Sequence, residues 1–167
     1  MKKTDPPREK AASRPVDRID SEIIKLLQRD GRLSNTDIAK QINLSEGTVR
    51  SRLNRLIQNG IIQIVAVSNP IKLGFKIVGH LRIHVEANRT EDVLKELEDI
   101  KALWFIVLTA GGSSGIDAEF MVKSMDELND LVHNQLNAID GITHVETTLT
   151  LDFIKRKYDW GTALEEE

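Results

Sequence analysis

Between residues 19 and 57 apolar positions recur every three or four residues, and beyond residue 60 they pass into alternating runs, so the chain predicts helices first and a mixed unit of strands and helices afterwards. Ile19, Ile23, Leu26 and Leu27 lie on one helical stripe, with Asp20 placed to cap its start and Asp30-Gly31 to end it. Ser34 and Ser45 each precede helix formers, so their hydroxyls predict the starts of two further short helices. Ile38, Ala39 and Ile42 of the first and Val49, Leu53, Leu56 and Ile57 of the second face a shared core, Leu44 fills the turn between them, and Gly60 stops the last helix. At about 100° per residue, Gly47, Thr48, Ser51, Arg55 and Gln58 gather opposite that apolar arc. Arg50 and Arg52 lie near its two edges.

Past residue 60 the period changes. Residues 61–67 are β-branched and predict a strand, and Asn69-Pro70 with Gly74 marks a hinge. Residues 77–86 alternate, with Ile77, Gly79, Leu81, Ile83 and Val85 on one side and His80, Arg82, His84 and Glu86 on the other. A helix opening at Thr90 presents Val93, Leu94, Leu97 and Ile100. Residues 102–109 are apolar on both faces, the pattern of a central strand. After a glycine-rich loop come a strand near residues 118–123, a helix over 125–139 with Leu128, Leu131, Val132, Leu136 and Ile139 inward, and an alternating strand over 142–153.

The resulting βαββαβ order is a ferredoxin-like unit, so the whole is an α+β chain with a helix-turn-helix, winged-helix-like, in front. Two helices cover only one face of such a sheet. The other, with His80, Arg82, His84, His144, Glu146 and Thr148, is expected to meet a second copy, which predicts a homodimer. The boundaries expected are an arm over 1–16, the helix-turn-helix over 17–60, strand and hinge over 61–75, the ferredoxin-like domain over 76–158 and an acidic tail over 159–167.

Charge changes this picture. The net charge of −3 averages two opposite halves: residues 1–75 carry 14 Lys and Arg against 8 Asp and Glu, and the remainder carries 9 against 18. A basic front suits a phosphate backbone, and an acidic back points to another task. Residues 1–16 hold three prolines and five Lys or Arg with almost nothing large and apolar, the composition of a mobile basic arm. With no cysteine, no export signal and no apolar run of about 20 residues, the cytoplasm is the expected compartment.

Base-edge reading falls to the N-terminal part of a recognition helix. Ser34, Thr36, Ser45, Glu46, Gly47, Thr48 and Ser51 are therefore candidates for the DNA side, with Glu46 able to accept from cytosine or to serve as a first-turn acid. Arg50, Arg52 and Arg55 are candidates for phosphate, and Arg55 could also reach guanine. A solvated helix face on a protein-binding module is the competing reading. Metal is disfavoured because His80 and His84, four apart on a strand, are separated by about 13 Å. Trp104 and Trp160 are expected to pack in the core and against residues 155–158, and no cofactor motif emerges.

The chain resembles the Lrp/AsnC (leucine-responsive and asparagine-responsive, feast/famine) regulators. The resemblance covers about residues 16–158 and rests on Val-Asp-Arg-Ile-Asp-Ser-Glu-Ile-Ile-Lys-Leu-Leu-Gln-Arg-Asp-Gly-Arg over 16–32, Leu-Ser-Glu-Gly-Thr-Val-Arg-Ser-Arg-Leu-Asn-Arg-Leu over 44–56, Asn-Gly-Ile-Ile over 59–62 and Pro-Ile-Lys-Leu-Gly over 70–74. It implies a transcription factor that binds double-stranded DNA, dimerises through its C-terminal sheets, assembles to tetramers or octamers, and takes an amino-acid effector near the loop between the second and third strands. A Thr-Gly-x-x-Asp segment is usual there, and here Thr109 to Asp117 is longer. Its glycines expose backbone N–H groups suited to a carboxylate, and Asp117 could hold an ammonium group. Thr109, Gly111, Gly112, Ser113, Gly115 and Asp117 are the effector candidates. The alternatives are an enzyme on the same scaffold, like the sirohaem decarboxylases, although no catalytic set emerges from the spacing, and an oligomeric small-molecule sensor without DNA binding.

Overall fold

Caps and apolar spacing build the first of two units, which takes in the chain up to Val67 and again from Lys155. The computed structural model describes residues 16–110 and 115–164, so the basic arm, apart from Val16, which packs on the core of this unit, lies outside the described residues. Helix α1 is Arg18–Arg29, α2 is Asn35–Gln41 and α3 is Glu46–Gln58. The α1 start differs from the expected one: Asp17 is the N-cap, and Asp20 sits three residues on. Asp17 Oδ1 accepts from the Asp20 backbone N–H at 2.9 Å, and Asp20 Oδ2 accepts from the Asp17 backbone N–H at 3.2 Å. Two acids at that spacing form a capping box, which satisfies two end donors at once and so outcompetes a single cap at Asp20.

Ile23, Ile24, Ile38, Ala39, Val49 and Leu56 make the core of this unit, and Leu44 packs against it from the turn. Asn43 gives that turn its left-handed residue, at φ 54°. Ile57, expected inward, is 42% exposed, since it falls at the margin of the apolar arc. The expected strand over 61–67 does not form: Ile61 and Ile62 pack on the core, while Ile64, Val65 and Val67 are exposed. A strand needs a ladder partner, and among the described residues no ladder includes this segment.

An acidic tail is expected over 159–167, yet Gly161 and Thr162 are tied to α1. Gln28 Nε2 donates to the Gly161 carbonyl at 3.1 Å, the Gly161 N–H donates to Gln28 Oε1 at 2.9 Å, and Ser21 Oγ lies 2.6 Å from Thr162 Oγ1. Trp160 stays exposed, its ring tilted 51° to that of Tyr158 with centroids 6.2 Å apart.

The second unit, Ser68–Ile154, opens with a 3₁₀ turn Ile71–Leu73 that Gly74 ends in the left-handed region. It continues as β1 Ile77–Val85, α4 Thr90–Glu98, β2 Leu103–Leu108, β3 Ile116–Val122, α5 Met125–Asn129 running on as a π-helical segment Asp130–Leu136, and β4 Ile142–Leu149. The sheet is antiparallel with order β2-β3-β1-β4, the ferredoxin-like arrangement. Leu81, Ile83, Ile116, Ala118 and Phe120 bury against Val93, Leu97, Leu131 and Leu136 of the helical layer.

Two expectations fail in this unit. β2 is an edge strand rather than a central one, and its Trp104, Phe105 and Leu108 stand 51%, 46% and 59% exposed, so Trp104 is not a core residue. Apolarity on both faces was a proxy for neighbours that a four-stranded sheet gives only to its two inner strands. The last strand ends at Leu149, and Leu151 beyond it is fully solvated.

Candidate nucleic-acid interface

α3 presents its first two turns on an open concave surface lined by Ser45, Gly47, Thr48, Ser51, Arg52 and Arg55. Ser45 is the α3 N-cap; its Oγ accepts from the Thr48 N–H at 3.1 Å and lies 2.7 Å from Thr48 Oγ1. Ser34 does the same for α2, accepting from the Asp37 N–H at 3.1 Å and donating to Asp37 Oδ2 at 2.6 Å. Thr36 is exposed on α2. A Cβ added at Gly47 would meet nothing within 4 Å, so no neighbour in the fold requires a glycine there.

The three arginines separate into two kinds. Arg50 pairs along the helix surface with Glu46, its Nη2 2.6 Å from Oε1 and 2.7 Å from Oε2, with 62% of the Arg50 side chain exposed. Exposed pairs of this type contribute little and exchange readily. Arg52 and Arg55 instead turn toward α1: Arg52 Nη1 donates to Asp17 Oδ2 at 2.7 Å and to Asp20 Oδ1 at 2.9 Å, and Arg55 Nη2 donates to Asp20 Oδ2. Asp20 is withdrawn completely from solvent. Burial pushes its carboxyl upward, but the hydrogen bonds from Arg55 and Arg52 outweigh that and hold it below the ordinary value of 3.8. The bonds to Asp17 and Asp20 correspondingly raise Arg52.

This pairing with α1 is what the helical wheel missed. The wheel assigns Arg52 and Arg55 to solvent and phosphate, because it knows nothing of the helix lying alongside. A signal was nevertheless present: two acids three apart at the head of α1, and two arginines three apart on α3.

In the second unit, Thr109 and Gly115 close the mouth of the β2–β3 loop, where the Thr109 N–H donates to the Gly115 carbonyl at 2.9 Å. Thr109 Oγ1 is buried with no hydrogen-bond partner among the described residues. Gly111, Gly112 and Ser113 lie outside the described residues. Asp117 sits on the outer sheet face, accepting from Arg82 Nε at 3.4 Å. On the same face His84 Nε2 donates to Glu146 Oε1 at 2.8 Å, a bond that holds the Glu146 carboxyl below its usual range. His84 also lies across the β1–β4 ladder from His144, their ring centroids 5.4 Å apart.

Residues 16–63 match the family model for winged helix-turn-helix DNA-binding, and residues 80–160 match that for the Lrp/AsnC ligand binding domain. An "uncharacterized HTH-type transcriptional regulator" of Pyrococcus horikoshii is 35% identical over 149 residues, spanning 89% of this chain and 91% of that one. The HTH-type transcriptional regulator LrpA of Pyrococcus abyssi is 30% identical over 141 residues, 84% of this chain and 99% of that one. Among solved structures, E. coli AsnC superposes with a TM-score of 0.76 at 25% identity over 86% of this chain and 97% of that one. A Neisseria meningitidis transcriptional regulator solved as an L-Met complex gives 0.77 at 20% identity over 87% and 96%. With both domains in this order and these relatives spanning nearly the whole chain, the protein belongs to the Lrp/AsnC family of helix-turn-helix, DNA-binding transcriptional regulators.

Proposed function

We propose that the chain is a cytoplasmic, sequence-specific regulator that reads the major groove of duplex DNA with the N-terminal half of α3 and answers to a small effector, with an amino acid as the first class to try. The observation that carries the DNA reading is the α3 surface, where small side chains line an open concavity and Arg50 is held by an exchangeable surface pair. Ser45, Glu46, Gly47, Thr48 and Ser51 face the base edges, Arg50 turns from Glu46 to phosphate, and Ser34 and Thr36 of α2 approach the backbone.

The effector reading rests on Thr109, whose buried hydroxyl oxygen has no partner among the described residues. It takes Gly111, Gly112 and Ser113 as the backbone N–H donors to a carboxylate; Gly115 gives its own N–H to the Ile83 carbonyl at 3.4 Å and holds the end of the loop, and Asp117 exchanges Arg82 for an ammonium group. Two copies meet through the outer sheet faces, and such dimers assemble further to tetramers or octamers. The two-fold symmetry gives operators two half-sites about one helical turn apart, or a multiple of it.

The test is a set of titrations of a wild-type-selected duplex, with and without each of the twenty amino acids, alongside light scattering. The proposal expects nanomolar-range binding (about 10⁻⁸ M) that at least one amino acid shifts, together with a species larger than a monomer. Binding that no amino acid alters, in a protein that none of them binds by calorimetry, would remove the effector part. A monomer that ignores every duplex would remove the rest.

A further inference from the structure

The geometry points to Asp20 as a positioning residue for DNA reading, acting through Arg52 and Arg55 to set the α3 face at a fixed angle and depth on α1. The inference rests on α3 being the DNA-facing helix. Asp20 is fully buried at the head of α1 and divides its two oxygens between the two arginines, Oδ1 to Arg52 and Oδ2 to Arg55. Arg52 shares the same Nη1 with Asp17, the residue that caps α1. The start of α1 and the middle of α3 are thus joined at two points one turn apart, enough to resist both rolling and sliding of one helix on the other.

Charge favours orientation over attraction as the task. Two carboxylates balance two guanidinium groups, so the cluster adds little long-range pull on phosphate. Burying a carboxylate is costly, and apolar residues of similar volume fill such a space at least as stably. A directional tie from one carboxylate to two arginines gives what apolar contact does not, a single permitted register. The same two arginines line the concavity with Ser45, Gly47, Thr48 and Ser51, so a displaced clasp moves the reading surface itself.

The test compares wild type with Asp20→Asn, which removes the charge and keeps the shape, and with Asp20→Glu, which keeps the charge and moves the carboxylate by one methylene. A duplex selected by wild type from a random pool and a scrambled duplex are both titrated, at a temperature where circular dichroism shows all three proteins fully folded. Positioning predicts that the ratio of selected to scrambled affinity falls about tenfold in each variant, the size of one lost base contact. Affinity for the scrambled duplex holds in Asp20→Glu and holds or rises in Asp20→Asn, where a negative charge has gone. A merely structural role lowers both affinities by one factor and leaves the ratio unchanged. An unchanged ratio in either variant overturns the inference; should Asp20→Asn fail to fold, Asp20→Glu alone decides. A wild type that does not discriminate between duplexes fails at an earlier point, in the sequence-specific reading itself.

Discussion

Each of the two units carries a set of ion pairs, at very different depths. Asp20 is shut away from water between Arg52 and Arg55, whereas Glu146, bonded to His84 on the outer sheet face, keeps 47% of its side chain in solvent. The depth decides what each set can do. A buried carboxylate that loses its partner is left as an uncompensated charge, so the α1–α3 pairs fix a geometry. An exposed pair is exchanged for water at little cost, and Arg82, Asp117 and Glu146 hold their pairs at a solvated surface. One set is placed to hold a geometry, and the other is open to exchange.

The largest break in this contrast comes from Asp20→Ala, which takes from Arg52 and Arg55 the buried carboxylate they share. It is expected to destabilise the helix-turn-helix unit by about 3–5 kcal/mol, while the sheet unit keeps its own melting transition; hydrogen exchange resolved by segment measures both. Acid does the same reversibly. Because the folded carboxyl lies below 3.8, its contribution is complete above that pH and is lost as pH falls through the lower folded value. Protection of α1 and α3 is therefore expected to persist through mild acid and to collapse only below about pH 4.

Gly79→Ala comes next and strikes the other unit. A Cβ at this position would stand 2.3 Å from the Thr148 carbonyl oxygen and 2.7 Å from the Phe120 ring, so β1 and β4 have to separate. A loss of about 2–3 kcal/mol is expected in thermal melts, confined to the sheet. Gln28→Ala cuts both hydrogen bonds to Gly161 and is expected to cost about 1–2 kcal/mol, freeing the C-terminal segment to proteolysis. Smallest, and opposite in sign, is Gly47→Ala: open space surrounds that position, so helix propensity alone stabilises α3 by about 0.5–1 kcal/mol. The same change thus damages one unit and firms the other.

Periodicity made much of this legible from the chain alone. The 3–4 spacing of Ile19, Ile23 and Leu26 and the alternation of Leu81 with Arg82 report which face is dry, and that is what burial enforces along a single element. Ser34 and Ser45 were readable as caps because a cap is made within four residues. The unreadable features depend on partners distant in sequence. Leu103–Leu108 carries the apolar pattern of a central strand yet lies at an edge, because strand order is set by connections rather than by composition. The β-branched residues 61–67 have strand propensity and no ladder. Arg52 and Arg55 face α1 across 32 and 35 residues of chain, and Gln28 meets Gly161 across 133.

The central claim is that the exposed N-terminal face of α3 lies against base edges. Ser51→Arg tests it most directly, since Ser51 lies exposed on that face and arginine in a major groove selects guanine. Wild type and Ser51→Arg are each used to select duplexes from a random pool, and the recovered sequences are compared. The account predicts that the preferred sequence changes toward guanine at one position in each half-site and stays the same elsewhere. Recovery of one identical preference by both proteins, at undiminished affinity, would contradict it.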